Sequence, residues 1–182
     1  MAAPVERGDA VLTSKTQMIP AADQVPGQTT PVVAADHEAM LISEDPQLER
    51  NKRLCYDMYR TVLQAGRADQ VPEFIGPDYI QHNPNVVSGA EALATFIRNS
   101  RPEREIKPQI ELPLVSIVAE RDLVQFTFIR PEADADGNRY YTSWFDLFRI
   151  EDGKIVEHWD PALKSPDMLK MDPNDRRLNS PN

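Results

Sequence analysis

Cysteine is nearly missing from this chain. Cys55 stands alone among 182 residues, which excludes an internal disulfide and any multi-cysteine zinc site, and gives no support for an oxidising compartment. Long apolar runs are missing too. The longest extends over a few residues, far short of the ~20 that a membrane-crossing helix needs, so the chain is expected to be soluble and to have no membrane partner. Basic residues are in deficit, with 20 Lys plus Arg against 29 Asp plus Glu for a net charge of −9. No Lys/Arg cluster breaks that balance, so phosphate backbones are repelled and nucleic acid is excluded as a partner. Only seven glycines occur, and none form a phosphate-cradling loop. Ser143 has no nucleophile elbow around it and Ser88 is explained by a helix start, so covalent nucleophilic catalysis has no support. A basic start followed by an apolar stretch is also lacking at the N-terminus. A cytoplasmic location is therefore expected, although a processed exported form would look the same.

What is present divides into three parts. Residues 1–45 hold Pro4, Pro20, Pro26 and Pro31, two basic against seven acidic residues, and no apolar period of 2 or 3.6. They read as an N-terminal extension whose short apolar patches, such as Met18-Ile19 and Val32-Val33, are expected to cover a pocket mouth or clasp a neighbouring subunit. Residues 46–161 form one folded domain, and 162–182 a proline-containing tail with at most one short helix.

Within the domain, Asp45-Pro46 is a helix start, with Asp as N-cap and Pro in the first turn. Leu54, Met58, Val62 and Ala65 then recur at helical spacing until Gly66. A second helical piece is expected over 68–75, an extended segment over 78–83, and a third helix from a capping box at Ser88 and Glu91 to about residue 99. From Ile110 the period becomes that of strands, over 110–119, 123–130, 140–150 and 154–160, with Asp152-Gly153 a strong hairpin turn. Helices first and an antiparallel meander second argue an α+β fold with the helices on one face of a curved sheet.

Counting outward from Asp152-Gly153 puts Phe145, Leu147, Arg149, Val156, His158 and Asp160 on one face of the last hairpin. Trp144, Asp146, Phe148, Ile155, Glu157 and Trp159 take the other, unless a one-residue bulge inverts part of the pattern. Both faces carry large apolar residues, so a homo-oligomer through the outer, tryptophan-bearing sheet face is expected.

Two stretches carry a resemblance. Tyr79-Ile80-Gln81-His82-Asn83-Pro84, with Gly89 at a helix start, and the closing run from Asp146 through Asp152-Gly153-Lys154 to His158-Trp159-Asp160 resemble the SnoaL-like polyketide cyclases of the nuclear-transport-factor-2-like superfamily. The similarity covers roughly residues 46–161. It implies a cone-shaped α+β barrel, a curved antiparallel sheet wrapped around the N-terminal helices, with a pocket in its open end. The resemblance also implies that Asp160 acts as a general base. Independently, His158 and Asp160 lie two apart on a strand and share a face, and an apolar pocket strengthens a carboxylate as a base towards a carbon acid. His82 is the candidate partner that stabilises the enolate oxygen or relays the proton. His158, Asn83, Tyr79, Arg149 and Phe145 are candidate substrate contacts. Asp160 before Pro161 also has a plain role as a turn organiser. His82, His158 and Asp160 form the rival metal set, but no supporting ligand spacing accompanies them, and neither metal nor cofactor is expected.

The expected function is cofactor-independent acid-base chemistry that makes or breaks a carbon-carbon bond, as an aldol cyclase or an aldehyde-releasing lyase, on a small hydrophobic, aromatic or polyketide-like substrate. Isomerase or dehydratase chemistry fits the same residues. The alternative is a non-catalytic binding or assembly module of the same fold.

Overall fold

A computed structural model describes residues 15–169 and Asn174. Local chemistry starts the first long helix where the spacing predicts it. The Asp45 carboxylate accepts the Gln47 N–H at 2.7 Å, Pro46 occupies the first turn, and α2 runs over Pro46–Met58. From Tyr59 to Gln64 the helix widens into a π turn, a feature that re-aims the side chains following it. Gly66 then ends it with φ 71°, where a Cβ would come within 2.8 Å of the Pro102 carbonyl oxygen. A side chain is excluded there both by backbone sign and by space.

The expected helix over 68–75 is shorter than its pattern. A 3₁₀ turn at Ala68–Gln70 leads into α3, Val71–Phe74, and strand β3 follows at once over Ile75–Gln81. Helix α4 spans Ala90–Ser100, but its N-cap is Gly89 with φ 104°, and no side chain caps it. Ser88 instead accepts the Gln81 N–H at 3.0 Å through Oγ, so the expected capping box gives way to a bond that pins β3 to the loop before α4. Strands β4 (Leu114–Glu120), β5 (Leu123–Ala133), β6 (Arg139–Glu151) and β7 (Lys154–Trp159) complete the chain's main sheet.

That sheet has the order β3-β7-β6-β5-β4. The three pairs from β4 to β7 are antiparallel, whereas β3 joins β7 in parallel. The inner face carries Val124, Phe126 and Phe128 from β5, Phe148 and Ile150 from β6, and Ile155 from β7. They form one core with Cys55, Met58, Tyr59 and Val62 on the first helix and with Leu93, Ala94 and Ile97 on α4. On the outer face Ile80, Val118 and Phe145 remain 45%, 54% and 43% exposed. None of the described helices is long and apolar enough to cross a membrane.

Register corrects one expectation with consequences for the site. Arg149 pairs with Glu157 but Ile150 pairs with Ile155, so Val156 is an extra residue in β7. This bulge flips everything beyond it relative to β6. His158 therefore lies opposite Phe148, on the face of Trp144 and Asp146, and not on that of Phe145, Leu147 and Arg149.

The described part of the extension lies on its own domain. Strands β1 (Thr16–Met18) and β2 (Val32–Ala34) form an antiparallel pair, with β2 against β4. The connection between them is tied to β6: Tyr141 accepts the Val25 N–H at 2.7 Å and the Arg139 carbonyl accepts from Gln28 at 3.0 Å. Short helix α1, His37–Leu41, follows, with Nδ1 of His37 2.8 Å from the Tyr56 hydroxyl; burial pushes the His37 imidazole below its ordinary pKa. Ile19 is 1% exposed, so Ile19→Ala is expected to cost about 2–5 kcal/mol. A denaturant titration showing no loss would mean that this arm does not pack on the domain in solution.

Candidate functional site

Helices cover only part of the inner sheet face, and the remainder borders a cavity of about 800 Å³. The order of the elements decides what stands in it. Alternation along β3 turns Tyr79 and Gln81 inward and Ile80 outward. The bulge at Val156 turns His158 inward, and β6 presents Trp144 and Asp146 beside it; the π turn at the end of α2 supplies Tyr59. All of these except Ile80 and Tyr79 line the cavity, as do Asn83 and Asp160.

His158 and Asp146 are buried at 7% and 5% exposure. Nε2 of His158 lies 3.1 Å from Oδ1 of Asp146, and Nδ1 lies 2.9 Å from Oε1 of Gln81. That Gln81 oxygen also accepts the backbone N–H of Asn83 at 2.9 Å, while Nε2 of Gln81 donates to the Tyr79 hydroxyl at 3.0 Å. A backbone donor cannot reverse, so the amide orientation is set, and Nδ1 of His158 must carry a hydrogen. Nε2 then faces a carboxylate oxygen across a distance that requires one proton between them. Trp144 donates its indole N–H to the same Asp146 oxygen at 3.1 Å, and the Tyr59 hydroxyl approaches the other at 3.4 Å. The result is a proton-holding pair locked on both sides.

Burial, and after it the charge of Asp146, pushes the Tyr59 hydroxyl well above the ordinary phenol range. Burial likewise raises Tyr79, helped by Asp160 and Asp146. Both phenols are thus kept protonated as hydrogen-bond donors. Asp160 is half-buried. Its Oδ1 accepts the Ala162 N–H at 2.9 Å, the turn-organising role that its place before Pro161 predicts, and its Oδ2 accepts from Asn83 at 2.8 Å. Donor atoms of Asp146, His158 and Asp160 lie within 4.8 Å of one another. These three residues are the set among the described residues that could hold a divalent ion.

Four of the residues singled out from sequence stand elsewhere. His82 points to the outer face, where its ring stacks on Trp159 at 4.7 Å and Nε2 lies 2.8 Å from Glu157. Alternation after Gln81 puts it there. Arg149, on the outer side of β6, donates to Glu157 at 2.8 Å and Asp122 at 2.6 Å. Phe145 is also outside, on the same face of β6 as Arg149. Tyr79 stands behind Gln81 and does not line the cavity. Burial alone would raise Glu157, but the hydrogen bonds from His82 and Arg149 prevail and hold it below the usual carboxylate range. His82→Ala is expected to leave turnover within about tenfold of wild type, short of the 10²–10⁴ that removal of a general acid or base costs; a steady-state rate comparison checks it. Conversely, sequence reasoning placed Asp146 and Trp144 on the outer face of the sheet and did not single out Tyr59; all three line the cavity. The one sequence signal for Asp146 is an acid set between Trp144 and Phe148 on a single strand face.

Residues 56–158 match the family described as SnoaL-like domain. None of the curated proteins matches the chain in sequence. Among solved structures, TsrD from Streptomyces laurentii is 25% identical, with 65% of this chain and 90% of that one covered and a TM-score of 0.42. A protein from Jannaschia Sp. CCS1 named for its likeness to the SnoaL-like polyketide cyclases is 18% identical over 66% of this chain and 91% of its own, with a TM-score of 0.46. An epoxide hydrolase of LEH-like type from M. tuberculosis is 19% identical over 61% and 80%, with a TM-score of 0.45. More than half of the sequence falls within the matched span, and its closing motif lies on the strands that build the cavity floor: the chain, an α+β fold, belongs to the SnoaL-like domain family.

Proposed function

We propose that this chain is an acid-base enzyme that makes or breaks a carbon-carbon bond in a hydrophobic substrate, by aldol or retro-aldol chemistry. The observation that carries the proposal is the contact of Nε2 of His158 with Oδ1 of Asp146 at 3.1 Å, close enough to share one proton, on the floor of a cavity of about 800 Å³. In the retro-aldol direction, Asp160 takes the proton of the substrate's β-hydroxyl group. The bond between the α and β carbons breaks, an aldehyde leaves, and the electron pair moves to the carbonyl oxygen of the enolate. Tyr59 and the proton of the His158–Asp146 pair support that oxygen, and Asp160 returns its proton to the α carbon. The ring-closing direction uses the same steps reversed. A second copy of the chain against the exposed outer-face residues Ile80, Val118 and Phe145 belongs to the same proposal.

The test is an NMR reaction screen in D2O with aromatic ketones, polyketide-like esters and aromatic β-hydroxy compounds, comparing wild type with Asp160→Asn and His158→Asn. Deuterium incorporation or aldehyde release by wild type, unaffected by a chelator and lost in both folded variants, is the expected result. Equal activity in all three proteins would refute the roles given to these residues. A chelator-sensitive reaction would replace the proton pair by a metal held on Asp146, His158 and Asp160.

A further inference from the structure

The mouth of the cavity differs in character from its floor. Asp146 and His158 are buried, whereas Arg101, Arg104 and Arg130 line the same cavity from exposed positions. Phe96 and Leu112 line it with them, 39% and 50% exposed. Cations beside exposed apolar groups at one opening run against the chain's net charge of −9, so the opening has a local character of its own.

The arginines differ in how far they are engaged. Arg130 is paired with Glu132 at 2.5 Å and lies over the Trp144 ring at 4.2 Å. Arg101 donates through Nη1 to the Leu63 carbonyl, which leaves its other N–H groups available. Arg104 has no side-chain hydrogen bond or ion pair among the described residues. The acids at the opening, Asp23 and Glu111, pair with none of the three among the described residues. Arg101 and Arg130 also lie close enough to the buried Tyr59 hydroxyl to act on its charge state, which links the mouth to the floor.

We propose that the cavity takes a hydrophobic carboxylate, its acid group held by Arg104 and Arg101 at the mouth and its apolar body lying along Phe96, Leu93 and Phe128 towards Trp144. A guanidinium offers parallel N–H donors that match a carboxylate two to two, and it loses less on partial desolvation than an ammonium does. The volume of about 800 Å³ suits a ligand of a few fused rings or a chain of similar bulk. This inference rests on the reading of the cavity as a substrate site and names the substrate class.

Its test measures binding and needs no turnover. Tryptophan fluorescence and calorimetry on the full chain compare naphthalene-2-carboxylate, naphthalene-2-carboxamide and 2-naphthyl phosphate. The carboxylate is expected to bind about tenfold more tightly than the amide, a preference typical of a charge-assisted hydrogen bond. Arg104→Met is expected to remove most of that preference and Arg101→Met part of it, while Arg104→Lys retains some. Equal binding of acid and amide, a preference that survives both Met variants, tighter binding of the phosphate, or no binding of any probe at millimolar concentration would each overturn the proposal. Because the His158→Asn protein should keep the preference for the acid, failure of the acid-base reading leaves a different signature: selective binding with no reaction.

Discussion

Asp146→Asn is expected to slow the reaction by about 10²–10⁴ while leaving the protein folded. The carboxylate is the only group at this position able to share a proton with Nε2 of His158, 3.1 Å away. An amide either opposes its NH2 to a protonated nitrogen or turns its carbonyl to accept that hydrogen without being able to take it. Nδ1 cannot compensate, because Gln81 holds it as a donor and is itself held by the Asn83 backbone. With the amide oxygen turned to the indole of Trp144, the NH2 faces the Tyr59 hydroxyl, which can accept from it, so the cavity floor keeps its shape. His158→Asn should be as slow, and the double variant hardly slower than either, since both act as one unit. Rates of aldehyde release or deuterium uptake, taken with a melting curve for each protein, check the prediction. A folded Asp146→Asn protein within tenfold of wild type would remove the pair from the mechanism.

The largest effect on stability is expected at Phe126. Its ring is 0% exposed and meets Tyr59 at 5.7 Å, Phe128 at 6.2 Å and Phe148 at 5.8 Å between centroids. Truncation to alanine removes the transfer energy of a whole ring and leaves a hole whose aromatic walls come from both layers and cannot all close on it. About 3–5 kcal/mol is the expected loss, or roughly 10 °C in Tm for a chain of this length. Phe145→Ala is the matched control. That ring is 43% exposed on the opposite face, and its removal should change stability by no more than about 0.5 kcal/mol in the monomer. Similar costs at both positions would contradict the assignment of inner and outer faces, or would show that a partner buries Phe145.

The Phe126 and Phe145 contrast also shows where sequence reading holds. Alternation along β6 groups Trp144, Asp146 and Phe148 on one face and Phe145, Leu147 and Arg149 on the other because the strand is regular over that length, but period does not say which face is inner, and the tryptophan face, read as the outer one, is inner. The start of α2 was equally legible, since Asp45 and Pro46 act through bonds within one helical turn. Val156 is different. Nothing in its side chain marks it as the extra residue of a bulge, and the bulge is set by β7 meeting two neighbours at once, β6 and the parallel β3. One unpaired residue was enough to part His158 from the face of Phe145 and Arg149 and bring it to that of Asp146. For His82, alternation was readable but its starting phase was not, because the phase comes from the pairing of Gln81 with His158 across the sheet.

Legible from neighbours along the chain, then, were the element order from Pro46 onward, though not the strands and short helix of the extension, the helix start at Asp45-Pro46, the turn at Asp152-Gly153, the family motifs and the placement of Asp160 just after the last strand. The packing of distant segments decided that Asp146 pairs with His158, that Gln81 fixes the proton on that ring, that Tyr59 approaches Asp146 on the floor, and that Arg130 lines one cavity with Arg101 and Arg104. Each of these depends on contact between segments far apart in sequence, where a shift of one residue in register exchanges inside for outside.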